Sequence, residues 1–193
     1  MRLSRWRPCC VQSANDPGTL LNVIINDDQI RYEPLDPDSE DNDQLPAPTK
    51  TPGGARIRAR MAAVQAIYQW RMSATDIGEL ILQFSQAGRL AGLDRDYFEA
   101  LLRGVAHDAS ALEAAFDTHL SRPAVQLDPV EHAILLLATF ELRDRIEIPF
   151  AAIINEATNL AKVFGATDGH RFINGVLDAT ARDLRATEIS ARR

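Results

Sequence analysis

Cysteine and histidine are scarce in this sequence, and their scarcity limits the chemistry that the protein can perform. Its 193 residues include two adjacent cysteines, Cys9 and Cys10, and four scattered histidines. Two neighbouring cysteines cannot form a disulfide framework or a four-cysteine zinc site, so we expect reduced thiols. No phosphate-binding glycine loop, zinc-protease motif or recognisable nucleophile context occurs either. The sequence therefore predicts a protein that is not an enzyme and that has no metal or cofactor.

Long hydrophobic runs are also missing. The longest strongly apolar run, 133–140, has about eight residues, whereas roughly 20 are needed to cross a bilayer. The apolar stretch 20–25 is too short and too interrupted for the core of an export signal. These absences predict a cytoplasmic protein without a membrane partner.

The charge balance lacks a positive surplus. The chain has 21 basic and 27 acidic residues, a net charge of −6, which argues against nonspecific binding of polyanions as its main activity. Before residue 55, acidic residues alternate with prolines: Pro34, Pro37, Pro46, Pro48 and Pro52. This composition buries too little apolar surface to offset the entropy of ordering, so we predict that 1–54 is a disordered extension with at most a transient strand over 20–30. It is either a solvated tail or an acidic segment that covers the arginines that follow it.

From residue 55 onward the apolar residues recur at helical spacing, and no alternating strand pattern is found. The spacing predicts helices at 56–72, 76–87, from 94 to about 120, 130–145, 150–164 and from 168 to about 184. Asp94 and Asp128 are expected to cap two of them, and Ser110 either continues the helix that Asp94 begins or starts a new one. Six or seven helices predict one all-α domain over 55–185, followed by a flexible tail over 186–193.

The stretch 150–178 is the predicted structural centre of this domain. Apolar residues at steps of three and four mark one face in each half of the stretch. They predict two helices that fold back on each other through a short loop. Gly165 is expected to end the first helix with a left-handed backbone, and Asp168 to begin the second.

Five motifs occur in the chain in this order: ARIRARMAAVQAIYQW, YFEALLRGV, LDPVEHAILLLATFEL, IPFAAIINEATNLAKVFG and HRFINGVLD. Their order and spacing resemble those of the bacterial transcription antitermination factor NusB family, from residue 55 to about 185. The resemblance implies a NusB-like helical bundle, made of two packed three-helix bundles, with a non-enzymatic RNA-binding role. It also implies a partner, ribosomal protein NusE, with which the protein binds boxA RNA in the transcription elongation complex. The pair would help RNA polymerase resist termination, notably on ribosomal RNA operons.

The first candidate RNA-binding surface is the arginine-rich start of the domain. Arg56, Arg58 and Arg60 offer planar, permanently charged donors that suit phosphates and base edges. Alternate positions splay around a helix, so all three reach one RNA strand only if the first turn is frayed. The resemblance carries the family's arginine motif onto these positions, and Ile57 stands where an arginine is common, which predicts a weaker patch. A solvated helix start is the competing interpretation.

The second candidate surface lies around the predicted hairpin loop. His170 and Arg171 are beside Phe172, and Phe164 ends the preceding helix, so cations and aromatic rings can meet there. Single-stranded RNA favours such places because its bases stack on rings while cations hold its phosphates. The resemblance implies that Phe164, Asp168, Arg171 and Phe172 lie at or near the RNA. The two phenylalanines also fit the core, and Asp168 also fits a helix cap, so both interpretations are open.

A protein-binding surface is implied by two further positions. Tyr68 and Glu131 match family positions associated with the NusE interface, where they would provide an aromatic anchor and a charge that selects a basic partner. Half-buried packing of Tyr68 and a capping box at Glu131 are the structural alternatives. Two other functions stay open for the whole domain. It could form a homodimer through the RNA surface, or act as an orphan RNA-targeting module related to the N-terminal domain of ribosomal RNA cytosine methyltransferases.

Overall fold

A computed structural model of the protein describes residues 10–13, 16–26, 29–34, 52–86, 92–165 and 168–191. Seven α-helices occupy most of these residues: α1 (Pro52–Ser73), α2 (Ile77–Gln86), α3 (Arg95–Asp117), α4 (Pro129–Asp144), α5 (Phe150–Phe164), α6 (Gly169–Leu184) and α7 (Ala186–Ser190). A single 3-10 turn, Ala124–Gln126, precedes α4. The predicted all-α fold is thus confirmed for the described residues from 52 onward. Within the described residues, no helix has the length and apolar character that a membrane span requires.

Three strands precede the helices. They are β1 (Cys10–Ser13), β2 (Asp16–Asn26) and β3 (Gln29–Pro34), and they form an antiparallel sheet in the order β1-β2-β3. These strands lie within the segment predicted to be disordered, 1–54, of which the structure describes residues 10–13, 16–26, 29–34 and 52–54. The strands are favoured by the sequence LLNVII of β2, which is rich in β-branched residues and lies close along the chain to Ile30 and Tyr32 of β3. In the register, Val23 is opposite Tyr32 and Ile25 is opposite Ile30.

The central helix of the fold is α4. All of its residues in the range 131–142 are buried, as its apolar sequence predicts. One three-helix bundle consists of α1, α2 and α3, the other of α4, α5 and α6, and α4 joins them by packing against α1 and α3. The start of α4 is capped as predicted, because an oxygen of Asp128 accepts hydrogen bonds from the backbone N–H groups of Val130 and Glu131.

Two features of α3 depend on its neighbour α4. The helix that Asp94 caps continues through Ser110 to Asp117, with a kink at Asp108, so Ser110 does not start a separate helix. At Gly104 the two helices approach closely, and a Cβ atom there would lie 2.1 Å from the ring of Phe140. Only glycine fits at this crossing.

Gly165 ends α5 as predicted, but its backbone is not left-handed. Its φ of −91° and ψ of 175° are those of extended backbone. A Cβ atom at this position would lie 2.6 Å from the carbonyl oxygen of Ala161. Close approach to the end of the helix, rather than the sign of φ, is therefore the reason for glycine here.

The end of the chain also differs from the predicted flexible tail over 186–193. Residues 186–190 form α7, which follows the buried side chain of Arg185. The Arg185 guanidinium lies 3.1 Å from a carboxylate oxygen of Glu188, and the other oxygen of Glu188 accepts a hydrogen bond from the backbone N–H of Phe150 at 3.3 Å. These contacts attach α7 to the start of α5, which has no side-chain cap of its own. The last two residues lie outside the described ones.

A buried histidine lies where α1, α3 and α4 meet. The ring of His132 meets that of Phe116 edge-on, with 5.8 Å between centroids. Its Nε2 lies 2.8 Å from Oε2 of Glu113, but the geometry is not that of a hydrogen bond. The two groups form an ion pair only when the ring is protonated. Burial, and then the charge of Arg71, lowers the pKa of His132 below 6.5, although Glu113 opposes the shift.

We expect this lowered pKa to make the protein less stable in mild acid. Below about pH 6.5 this ring takes up a proton in the unfolded chain more readily than in the folded protein, so the free energy of unfolding decreases as the pH is lowered. Urea titrations at about pH 7.5 and about pH 5.5 should show a larger loss for the wild type than for His132→Gln. Other groups titrate in both proteins, so the difference isolates this ring. Equal losses would show that His132 is protonated equally in the folded and unfolded states.

Candidate nucleic-acid interface

The first turns of α1 are ordered rather than frayed. The helix begins at Pro52, and the carbonyl oxygen of Ala55 accepts a hydrogen bond from the N–H of Asp94 at 3.2 Å. The Nε of Arg58 donates to the carbonyl oxygen of Gly92 at 2.9 Å. The loop before α3 thus holds the arginine-rich segment in a fixed place. The frayed turn that would let three arginines reach one RNA strand is not observed.

Arg56 is held against the start of α3 with half of its side chain exposed. Its Nε lies 3.7 Å from Oδ2 of Asp94, and its guanidinium is 5.2 Å from the centroid of the Tyr97 ring. Asp94 also caps α3 by accepting the N–H of Tyr97 through Oδ1 at 3.0 Å. A guanidinium that rests on a ring keeps its edge donors free for a further partner. Arg56 is therefore oriented for a phosphate or a base edge.

Arg60 does not lie on this exposed surface, which argues against the predicted RNA contact of Arg60. Its residue is 6% exposed. Its Nε and Nη2 donate to the two carboxylate oxygens of Glu141 at 3.0 and 2.8 Å, and Nη2 also donates to the hydroxyl of Tyr97 at 2.9 Å. Arg60 lies one helical turn further into the bundle than Arg56, where α4 and Glu156 of α5 cover it.

Tyr97 completes this buried network. Its hydroxyl donates to Glu141 and accepts from Arg60. Burial, followed by the charge of Glu141, raises the pKa of Tyr97, so the hydroxyl keeps the proton that it donates. The network is satisfied within the protein. Its functional consequence is indirect, because it fixes the ring on which Arg56 rests.

The second surface is at the loop between α5 and α6. Phe164 and Phe172 are half-buried and pack against the core, so each serves the core and keeps part of its surface outside it. Asp168 and Arg171 are exposed and lie 3.7 Å apart, and His170 is half-buried in the first turn of α6. Asp168 precedes α6 without a side-chain capping bond. The carboxylate therefore has no structural role in that helix start.

A third cation at this loop was missed by sequence reasoning. Arg122 lies in the connection between α3 and α4, and its guanidinium is 5.9 Å from the centroid of the Phe172 ring. The same guanidinium is 3.8 Å from Oε2 of Glu131. No motif surrounds Arg122, and its contacts are with helices distant in sequence. Only the fold brings it to the surface that Arg171 and Phe172 form.

Glu131, predicted to be a charge that selects a basic protein partner or a capping-box residue, is buried. Besides Arg122, its carboxylate faces the start of α6, where a Cβ atom at Gly169 would lie 2.8 Å from Oε1. Burial, and then the charge of Asp128, raises the pKa of Glu131, while Arg122 opposes the shift. Glu131 thus joins the start of α4 to the start of α6.

Tyr68 is exposed on α1, and Met72 is exposed one turn later on the same helix. Residues four apart on a helix are neighbours, so the two side chains form an apolar pair open to solvent. Such a pair suits an anchor for another protein. The role of Tyr68 at a partner interface stays a prediction.

The two candidate surfaces lie near opposite ends of α4. Arg60, one turn below Arg56, contacts Glu141, whereas Arg122 and Gly169 approach Glu131. Ten residues of helix separate the two glutamates, which corresponds to roughly 15 Å along the axis.

From α1 to α6 this architecture is that of a class of all-helical proteins in which two three-helix bundles pack together through a central apolar helix. Surfaces with cations and aromatic side chains lie near the two ends of that helix. In the part of the chain that the structure describes, no three His, Cys, Asp or Glu side chains are grouped to hold a metal ion. The sequence model of the NusB family matches residues 57–182, and the chain belongs to that family.

Two relatives show how far the similarity extends. The transcription antitermination protein NusB of Teredinibacter turnerae is 49% identical over 145 residues, which cover 75% of this chain and 99% of that protein. The protein of the same name from Pseudomonas savastanoi pv. phaseolicola is 41% identical over 170 residues, covering 88% of this chain and 99% of the relative. The second alignment is longer than the 139 residues that follow position 54. It therefore includes part of the segment before the helical domain.

Solved structures match the fold. NusB of T. maritima aligns with a TM-score of 0.59 and 27% identity, covering 70% of this chain and 94% of that one. A structure of the antitermination factors NusB and NusE in complex with dsRNA aligns with a TM-score of 0.57 and 22% identity, covering 66% and 96%. At that identity the second match shows the fold alone.

Proposed function

We propose that this protein is a transcription antitermination factor that binds boxA RNA together with ribosomal protein NusE. In the cytoplasm, as part of the transcription elongation complex, it helps RNA polymerase resist termination, notably on ribosomal RNA operons. The observation that carries this proposal is the pair of surfaces near the two ends of α4, in a chain of the NusB family. The second surface combines cations with partly exposed aromatic rings, the combination that single-stranded RNA favours, and the first adds arginines beside the buried ring of Tyr97.

The RNA contacts in this proposal come from both surfaces. Arg56 and Arg58 contribute donors at the start of α1, while the second surface contributes Phe164, Asp168, His170, Arg171 and Phe172. The exposed ion pair between Asp168 and Arg171 contributes little to stability, so an RNA phosphate can replace Asp168 as the partner of Arg171. Asp168 then disfavours phosphates that approach from its own side.

NusE is assigned to the exposed apolar pair on α1. Tyr68 and Met72 are exposed to solvent in the isolated chain and would serve as an apolar anchor for the partner. The related complex of NusB, NusE and dsRNA supports a partner of this kind. The burial of Glu131 argues against its predicted direct contact with NusE, and its role in this proposal is to hold Arg122 and the start of α6.

Replacing Arg56 and Arg58 together with alanine should weaken boxA binding by about tenfold. Two lost phosphate contacts should also make the salt dependence of log K shallower by about 1.4, because each contact to a single strand contributes about 0.7. Fluorescence anisotropy of a short boxA RNA over a range of salt concentrations, with and without NusE, checks both values.

Arg103→Ala is the matched control, since Arg103 is exposed on α3 and paired only with Glu99 of the same helix at 3.8 Å. It should leave affinity and salt slope unchanged, and thermal unfolding should confirm that all variants fold. If the wild type binds boxA and a scrambled RNA equally weakly, with or without NusE, the proposed function is wrong. A homodimer or an orphan RNA-targeting module would then be the function to test.

A further inference from the structure

We propose that Arg122 is an additional RNA-contacting residue and that it serves as a stacking platform for a base; this inference rests on the proposed function. Neither the arginine motif nor the hairpin loop contains it. The connection between α3 and α4 brings Arg122 to the loop between α5 and α6, where it lies against Phe172.

The placement of Arg122 leaves its outer side open. The side chain is 49% exposed, whereas that of its partner Glu131 is 8% exposed. On its inner side the guanidinium lies 5.9 Å from the centroid of the Phe172 ring, within the range of a cation–π contact. The guanidinium thus contacts the protein through Phe172 and Glu131, while about half of the side chain is accessible to a ligand.

Glu131 positions Arg122 because its own location is fixed. The carboxylate is buried at the start of α4 and approaches Gly169, at the positive end of the α6 dipole. A larger residue than glycine would require the carboxylate to shift, since a Cβ atom there would lie 2.8 Å from Oε1. The charged Arg122 thus completes the set of partners of a buried acidic group. Its mean position is set by the fold and not by solvent.

Three groups lie in the neighbourhood of the first turn of α6. Arg171 is highly exposed in the first turn of α6, Phe172 follows it, and Arg122 lies over the ring of Phe172. Bases in single-stranded RNA stack on arginine guanidinium planes as well as on aromatic rings. A base stacked on the outer face of Arg122 would be backed by Phe172, and Arg171 would hold the adjacent phosphate. Charge and planarity are both required for this role.

Lysine and alanine at position 122 separate these two requirements. Arg122→Ala removes charge and plane, so boxA affinity should fall about tenfold and the salt slope should become shallower by about 0.7. Arg122→Lys keeps the charge without the plane, so it should restore the salt slope but only part of the affinity. Anisotropy titrations with single-stranded boxA RNA measure both quantities.

Arg122→Ala leaves Glu131 buried without its partner, so the double variant Arg122→Ala/Glu131→Gln provides a second, better-folded test. It should bind RNA as weakly as Arg122→Ala while unfolding close to the wild-type temperature. Arg103→Ala again serves as the control for loss of an exposed arginine.

The outcomes distinguish this inference from the function on which it rests. Wild-type preference for boxA, together with unchanged affinity in both alanine variants, would overturn the role of Arg122 and leave the proposed function intact. Full recovery of affinity by Arg122→Lys would overturn the stacking role, because charge alone would then suffice. Equal binding of boxA and scrambled RNA by the wild type would overturn the proposed function itself.

Discussion

Replacing Glu141 with alanine should lower the free energy of unfolding by about 3–5 kcal/mol. The substitution leaves the Arg60 guanidinium buried without a counter-charge and removes the acceptor of the Tyr97 hydroxyl. A buried charge that loses its partner retains its full desolvation penalty, which is why the expected effect is large. Urea denaturation followed by circular dichroism measures it through a shift of the midpoint at constant m-value.

The double variant Arg60→Met/Glu141→Leu is the matched control. It removes both charges and fills the space with apolar atoms, so it should recover most of the lost stability. Because Arg60 does not reach the RNA surface, this variant should also bind boxA RNA nearly as well as the wild type. A folded double variant with strongly reduced RNA affinity would show that Arg60 contacts RNA after all.

The helices could be predicted from sequence because the signals that start them act over one turn. Asp94 accepts the N–H of Tyr97, and Asp128 accepts the N–H of Val130, each within three residues along the chain. The apolar residues on most sides of α4 likewise predicted its central position, since a helix without a polar face is usually buried among other helices. These are local properties of the chain.

The roles of the arginines could not be predicted in the same way. Arg56 and Arg60 are one turn apart on the same side of α1 and have the same chemistry, yet one is half exposed and the other buried. The difference comes from α4 and α5, which cover only the second. Arg122 is similar, because its contact with Phe172 joins two parts of the chain that no short motif spans.

The family resemblance indicated two regions in which the structure brings charged and aromatic residues together, but it did not indicate the burial of Glu131. A glutamate in the first turn of a helix is usually exposed, and its negative charge interacts favourably with the positive end of the dipole of that helix. Here the start of α6 lies opposite Glu131, and because Gly169 has no side chain the carboxylate can approach the helix closely. A tertiary contact thus converts a capping-box residue into a link between two helices.

Replacing Arg185 with methionine should destabilise the protein by about 2–4 kcal/mol, because hydrogen bonds to charged groups are worth about 1.5–3 kcal/mol and several acceptors are lost at once. The guanidinium donates to the carbonyl oxygens of Arg145 at 2.8 Å, of Glu141 at 3.1 Å and of Leu142. These groups belong to the last turn and the C-cap of α4, where a cation interacts favourably with the negative end of the helix dipole. The carbonyls of Glu141 and Arg145 also accept the backbone N–H groups of Arg145 and Ile148. Methionine fills the volume of the side chain but donates nothing.

Arg182→Ala is the control for this substitution, since Arg182 is exposed near the end of the same helix, α6, and its loss should change stability by less than about 0.5 kcal/mol. Urea denaturation gives the two free energies, and amide hydrogen exchange locates the effect. Exchange should accelerate at the end of α4, in α7 and at the start of α5, because Arg185 and Glu188 join these three segments. If Arg185→Met is no more destabilising than Arg182→Ala, the carbonyls at the end of α4 are satisfied without Arg185, and residues 186–190 are then no more than part of the predicted flexible tail.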